Sequence, residues 1–415
     1  MRVIRSVVYL VVLLVIFTAQ GQSVSSVYSN NGIGLINYQG LAHNSGMGEV
    51  GTGTVSLWNL NYNPAFLPFN TFTIYQVGIE MDRRNISSNA VDGKKVAGGL
   101  KSLNLAFPVI IGKWTTAISV SPYSTSNYAS YSTTELTSDV TATTRYNGSG
   151  GVSSIAWANG VKLGKGFYAG LKYNVMFGSV QNKESTIVST SILDEIFSSY
   201  ETSLVENSSY SGSKLDLSLG YRKTVGTSND RIINLGIIYE RSSELTGLRD
   251  QWEETNAVEE RFIFENIEAN LQTPSVWSIG GSYQFRNKFS IGSDVVRMNW
   301  SNDQLTNDNL RNTTKISFGG EYTPDIASVN NYWRRITYRA GVNFGPIPYT
   351  INGRTINEFG INFGGSVPFG YSKLDLAFKY GQLGTLNNDL VRETYFRIVI
   401  GASINDRWFI KRRYD

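Results

Sequence analysis

From residue 71 nearly to the end of the chain, apolar and polar residues alternate with a period of two. Tyr75, Val77, Ile79 and Met81 are interleaved with Gln76, Gly78 and Glu80, and Leu215, Leu217, Leu219 and Tyr221 with Lys214, Asp216, Ser218 and Gly220. Successive side chains of a β-strand point to opposite faces, so this pattern predicts strands with one apolar and one polar face. Further alternating segments begin near Leu103, Trp114, Gly150, Phe167, Ile233, Trp277, Phe289, Thr314, Arg335, Phe359, Lys373 and Glu393. The count is about fourteen.

A soluble sandwich and a membrane barrel both read this way along a single strand. The connections separate them, because short ones alternate with long ones. Residues 112–113, 163–166 and 286–288 are short links, whereas 124–147, 181–211 and 243–273 are long. Short turns on one side and long loops on the other are the pattern of an outer-membrane barrel, and an even strand count puts both termini on the short-turn, periplasmic side. The polar faces carry full charges, such as Lys172, Asp216, Lys315, Asp375, Lys379 and Arg397, which a water-facing lumen accepts. Residues 192–204 have apolar positions near helical spacing and predict a short helix in an outer loop.

Ahead of the strands the character differs. Residues 1–21 combine Arg2 and Arg5 with an apolar run over residues 7–17 and small residues before Gln22, which reads as a secretory signal peptide. Residues 22–70 are small and polar and predict a plug that enters the barrel from the periplasmic side. They end in the Asn, Pro and aromatic block of residues 57–69, where Pro64 fixes its own φ and keeps Asn63 out of the helical region. The wall is then expected over residues 71–405, followed by a basic-aromatic tail at 406–415.

Composition agrees with strands and turns at a membrane interface: 24 Tyr, 20 Phe, 8 Trp and 41 Gly in 415 residues. Beyond the leader no apolar run approaches a helical membrane span. The formal charge of +4 includes the two leader arginines, so the rest is near neutral and nucleic acid is not an expected partner. With no Cys there is no thiol nucleophile or thiolate metal site, and with the single histidine His43, read as a polar residue of the N-terminal segment, a His-based triad or metal cluster is largely unavailable. The chain reads as a non-enzyme without cofactor or metal. Residues 46–51, GMGEVG, match a dinucleotide fingerprint formally, yet no strand precedes them and no helix pattern follows, so they read as Gly-rich coil packed in a confined space. The glutamates of residues 244–268, including Glu253, Glu254, Glu259 and Glu260, read as solvated loop charge.

The run GMGEVGTGT at residues 46–54, followed by Asn63, Pro64 and Ala65, resembles the Gly-rich plug and Asn-Pro-Ala element of the FadL/TodX family of outer-membrane transporters for hydrophobic compounds. A second patch, with Pro274, Trp277, Asp294 and Trp300, is similar to that family's paired late strands. The chain departs from the family pattern at Phe66, where the family has Gly, and in its tail. The resemblance implies a fourteen-stranded all-β transmembrane antiparallel barrel with an N-terminal plug, capturing an apolar solute outside and releasing it sideways into the membrane. It places Leu57, Trp58, Asn63, Pro64, Ala65, Phe66 and Leu67 on the ligand pathway. By analogy with that family Pro122, which cannot donate to a strand ladder, is a candidate for the lateral opening; the alternative is that it merely ends the third strand at the outer rim.

Two functions follow as expectations. The first is passive uptake of hydrophobic compounds through the outer membrane, with lipids, lipopolysaccharide and a hydrophobic small molecule as partners. The alternative is a non-transporting barrel of this type acting as a subunit of an outer-membrane protein secretion or assembly complex, with loops and tail as docking surfaces. A transporter requires an apolar cavity lined by plug residues such as Leu35, Ile36, Trp58 and Phe66; a complex subunit does not.

Overall fold

The computed structural model describes residues 24–406 except 57, 59, 61, 90–91, 139, 193–194, 227–229, 256–260, 287, 301–309, 352 and 371. Residues 1–23 with the expected signal peptide, Leu57, residues 256–260 with Glu259 and Glu260, and residues 407–415 of the expected tail lie outside those residues. The wall is a closed antiparallel barrel of fourteen strands. In chain order these are β1 (Thr73–Ser87), β2 (Asp92–Ile110), β3 (Trp114–Pro122), β4 (Val140–Gly164), β5 (Phe167–Ile192), β6 (Glu195–Val225) and β7 (Arg231–Glu240). They continue as β8 (Ser275–Phe285), β9 (Phe289–Asn299), β10 (Thr313–Tyr322), β11 (Thr337–Ile351), β12 (Arg354–Phe369), β13 (Ser372–Gly384) and β14 (Arg392–Asp406). Closure is made by β1 on β14, in register from Thr73↔Asp406 to Ser87↔Arg392. Every alternating segment in the sequence is one of these strands.

The alternation decides which face meets what. Outward-facing Leu219, Ile279, Phe318 and Phe363 are each more than half exposed. Side chains of opposite parity, such as Asp216, Asn234, Asp294, Asn362 and Asp375, are buried in the lumen. Closing the sheet removes its edges over most of the wall, so the ladder satisfies the backbone there where it meets lipid.

The long connections are not irregular loops. β4, β5 and β6 continue far beyond the apolar belt, and two extra hairpin segments sit on them. Tyr128–Thr137 pairs with the upper part of β4, and Glu244–Thr255 pairs with β6 and with Arg261–Glu268. The helix expected over residues 192–204 is corrected: residues 195–204 belong to β6, in register with β5. Above the belt both faces are wet, so apolar periodicity disappears while the ladder continues.

Residues 24–70 fill the lumen. A single helical turn at Ala42–Ser45 and a 3-10 helix at Pro64–Phe69 are their main regular elements. A short strand, Leu35–Ile36, pairs with Ser124–Thr125, a segment of the chain immediately after β3.

Candidate functional site: the plug and the wall facing it

The Gly-rich run of the plug lies where backbone meets backbone. A Cβ on Gly46 would stand 3.0 Å from the Gly364 Cα, and one on Gly53 would be 2.5 Å from Gly281. Glycine on both partners permits this approach, which accounts for a fingerprint-like spacing with no nucleotide to bind.

Polar contacts fix the same segment. The Gly51 and Thr52 amides donate to Asp294 Oδ2 at 2.6 and 2.7 Å, and the Asn362 Nδ2 donates to the Ser45 carbonyl at 2.8 Å. Glu49 enters a ring of alternating charge: its carboxylate meets Lys315 at 2.5 Å and Lys379 at 2.9 Å, and both ammoniums also meet Glu358, at 3.5 and 2.9 Å. Burial pushes the Glu49 carboxyl upward, but the two ammoniums outweigh it and hold the group down at about 2. A second network joins Arg84 to Asp82 and Glu393, and Arg397 to Asp82; Glu393 also accepts from the Ser26 hydroxyl and the Val27 amide of the plug. None of these long-range pairings has a signature in sequence spacing. The signal that was available is the recurrence of single charges on the lumen face of β10, β12, β13 and β14.

The Asn-Pro-Ala element forms a buried cap. Asn63 Oδ1 accepts from the Ala65 amide at 3.0 Å, its Nδ2 donates to the Thr52 carbonyl at 2.6 Å, and the Ala65 amide also reaches Ser218 Oγ at 3.0 Å. Asn63 thereby ties the 3-10 helix to the Gly-rich run and, through Ala65, to β6. Pro64 occupies the first helical position, where no amide is needed. Phe66, 1% exposed, lies against Ala65, Val55 and Tyr168, with Gly220 leaving room for its ring. Leu67 is 0% exposed and packs with Ile74, Ala106, Ala117 and Ala158. Phe66 and Leu67, both expected on a ligand pathway, are thus enclosed by packed neighbours. Trp58 is partly buried, with the Lys373 ammonium 4.8 Å from its ring centre. His43 is buried near Lys373 and Asp375, and burial holds its imidazole well below the ordinary value. In the hairpins on the long strands, Glu254 is engaged by Lys183 at 2.6 Å and by the Trp252 indole at 2.9 Å, which together keep its carboxyl below the ordinary value.

Pro122 is the last residue of β3 and pairs with Ser153 of β4. The chain then leaves the wall: Tyr123, Ser124, Thr125 and Ser126 are buried, and Ser124–Thr125 pairs with plug strand Leu35–Ile36. On the other side, the ladder between β2 and β3 begins at Leu103↔Val120, so residues 92–102 of β2 are paired with β1 alone. A cleft of about 490 Å³ opens there. A second chamber, of about 570 Å³, lies among the outer hairpins and includes Ile33, Phe264, Leu271 and Trp300 in its lining.

A closed barrel with a luminal N-terminal plug and a third strand that turns inward defines an outer-membrane barrel of the FadL type. Solved structures with this fold include the CymD monoaromatic hydrocarbon channel (TM-score 0.56, 16% identity, 90% of this chain and 99% of that one). Others are a Pseudomonas aeruginosa FadL homologue (0.57, 14%, 93% and 99%) and the Ralstonia pickettii toluene transporter TbuX (0.53, 13%, 89% and 99%). No curated protein sequence matches the chain. Within that class, the chain belongs to the BamG family, whose model matches residues 3–415.

Proposed function

We propose that the protein is an accessory barrel of an outer-membrane protein assembly or secretion complex, with its lumen closed by its own plug. The observation that carries this reading is the packing of Phe66 and Leu67, which leaves neither side chain bordering open space. Membership of the BamG family supports it. Both termini are taken to be periplasmic, leaving the outer hairpins and the basic tail as docking surfaces. The test is purification from native membranes in mild detergent, with partner identification and lipid extraction from the same sample. A stable complex that dissociates on deletion of residues 408–415, once normal barrel insertion has been checked, is the expected result. A protein that purifies alone and carries a lipid-like ligand overturns the proposal.

The inward turn after Pro122 favours a second reading, uptake of a hydrophobic solute that leaves sideways through the wall. CymD is a monoaromatic hydrocarbon channel and TbuX a toluene transporter. Under this reading Pro122→Val reduces uptake without affecting heat-resistant folding, and Phe66→Ala alters uptake. Under the first reading both substitutions are silent in uptake.

A further inference from the structure

The wall is incomplete in one place. Among the described residues, 92–102 of β2 and the hairpin strand Tyr128–Thr137 each pair on one side only, with β1 and β4 respectively, and residues 92–95 and 129–131 of these edges line the cleft. Part of the β2 edge is at belt depth: Val96 points outward and is 67% exposed, and Gly98 is level with the outward-facing Met81. An open sheet edge is costly there, because lipid tails offer no donors or acceptors to its amides and carbonyls. Lys94, Lys95 and Arg145 also line the cleft, and none of the three is ion-paired among the described residues. Asp92 is the one acidic side chain among the described lining residues.

We propose that this cleft receives an extended segment of another polypeptide as an added β-strand, paired antiparallel to residues 92–102, with the acidic side chains of one face set against Lys94 and Arg145. Strand addition supplies main-chain hydrogen bonds for affinity, and alternate side chains supply selectivity. A strand satisfies both features of the cleft. A lipid headgroup answers the three cations but leaves the belt-depth edge unpaired. The nature of the occupant rests on the assembly-complex reading, with the added segment belonging to a partner or client of that complex.

The test uses the purified full-length protein in detergent and a short fluorescent peptide alternating Glu with Val, Ile and Phe, long enough to span residues 92–102. Three probes are compared: this peptide, its Lys-for-Glu counterpart, and a version N-methylated on alternate amides so that the side chains remain but ladder donors are removed. The acidic peptide is expected to bind, and N-methylation to weaken it about tenfold or more through loss of several hydrogen bonds. The combined Lys94→Glu and Arg145→Glu variant, checked for heat-resistant folding, is expected to shift the preference to the Lys peptide. Equal binding of the N-methylated peptide would reduce the cleft to a charged surface and overturn the proposal. So would binding only of micelles containing anionic lipid, or no peptide binding at all. The N-methylation comparison needs no protein variant, and membership of a complex is read separately by co-purification, so the two proposals fail independently.

Discussion

Glu49→Ala isolates the charge that locks the plug. The residue has φ +67, a left-handed backbone that alanine also tolerates poorly, so the substitution changes the ionic ring while leaving the backbone cost nearly constant. Removing one partner of a buried ion pair costs about 3–5 kcal/mol, and Glu358, still in contact with both ammoniums, keeps the loss near the lower figure. The electrostatics of the ring give a comparable size. Relative to the ordinary carboxyl value of 4.5, a value of about 2 in the folded protein corresponds to roughly 3 kcal/mol. Because the folded value is the lower one, this contribution is complete above 4.5 and is lost as pH falls toward 2. Plug opening can be read in the Cys-free chain from the reaction of a single Thr54→Cys thiol, buried in the closed plug, with a dithiodipyridine that works in acid. At neutral pH, Glu49→Ala is expected to raise the labelling rate about a hundredfold, at roughly 1.4 kcal/mol per tenfold. The wall ladder is independent of this ring, so heat-resistant migration is unchanged. After correction for intrinsic thiol reactivity, acid accelerates labelling in the parent protein much more than in the variant. Rates within threefold of each other at neutral pH, or the same acid response in both, would show that the ring does not hold the plug.

Gly46→Val places a branched side chain against Gly364 and is expected to cost about 1–3 kcal/mol through overpacking, read as faster labelling of the same Thr54→Cys thiol. Asp294→Asn weakens the bonds from Gly51 and Thr52 by replacing a carboxylate with a neutral acceptor, a loss of about 1–2 kcal/mol seen in the same measurement without change in the wall. Leu219→Arg, on the lipid face of β6, is expected to destabilise the barrel by about 2–4 kcal/mol at the middle of the bilayer, measured by reversible unfolding from lipid vesicles; an effect near zero would put that position outside the hydrocarbon layer.

The period-two alternation determined the strands and their two faces, because the parity of a side chain along a strand is a local property and lipid selects one parity and the lumen the other. The alternation of short with long connections then distinguished a barrel from a sandwich, and strand number followed from counting. Where both faces are wet the period vanishes, which is why residues 181–192 and 195–211 read as loop or helix and yet continue β5 and β6. Residues 92–102 escaped for a related reason: Lys94, Lys95, Gly98 and Gly99 interrupt the apolar face, and nothing local shows that β3 will stop beside them. The plug was legible as a Gly-rich segment with an Asn-Pro-Ala turn. Its closure was not, since Glu49 meets partners far along the chain on β10 and β13, and Phe66 is enclosed by Tyr168 and Gly220 from β5 and β6. Whether an aromatic side chain lines a passage or seals it depends on which strands arrive around it, and only the closed barrel brings those strands together.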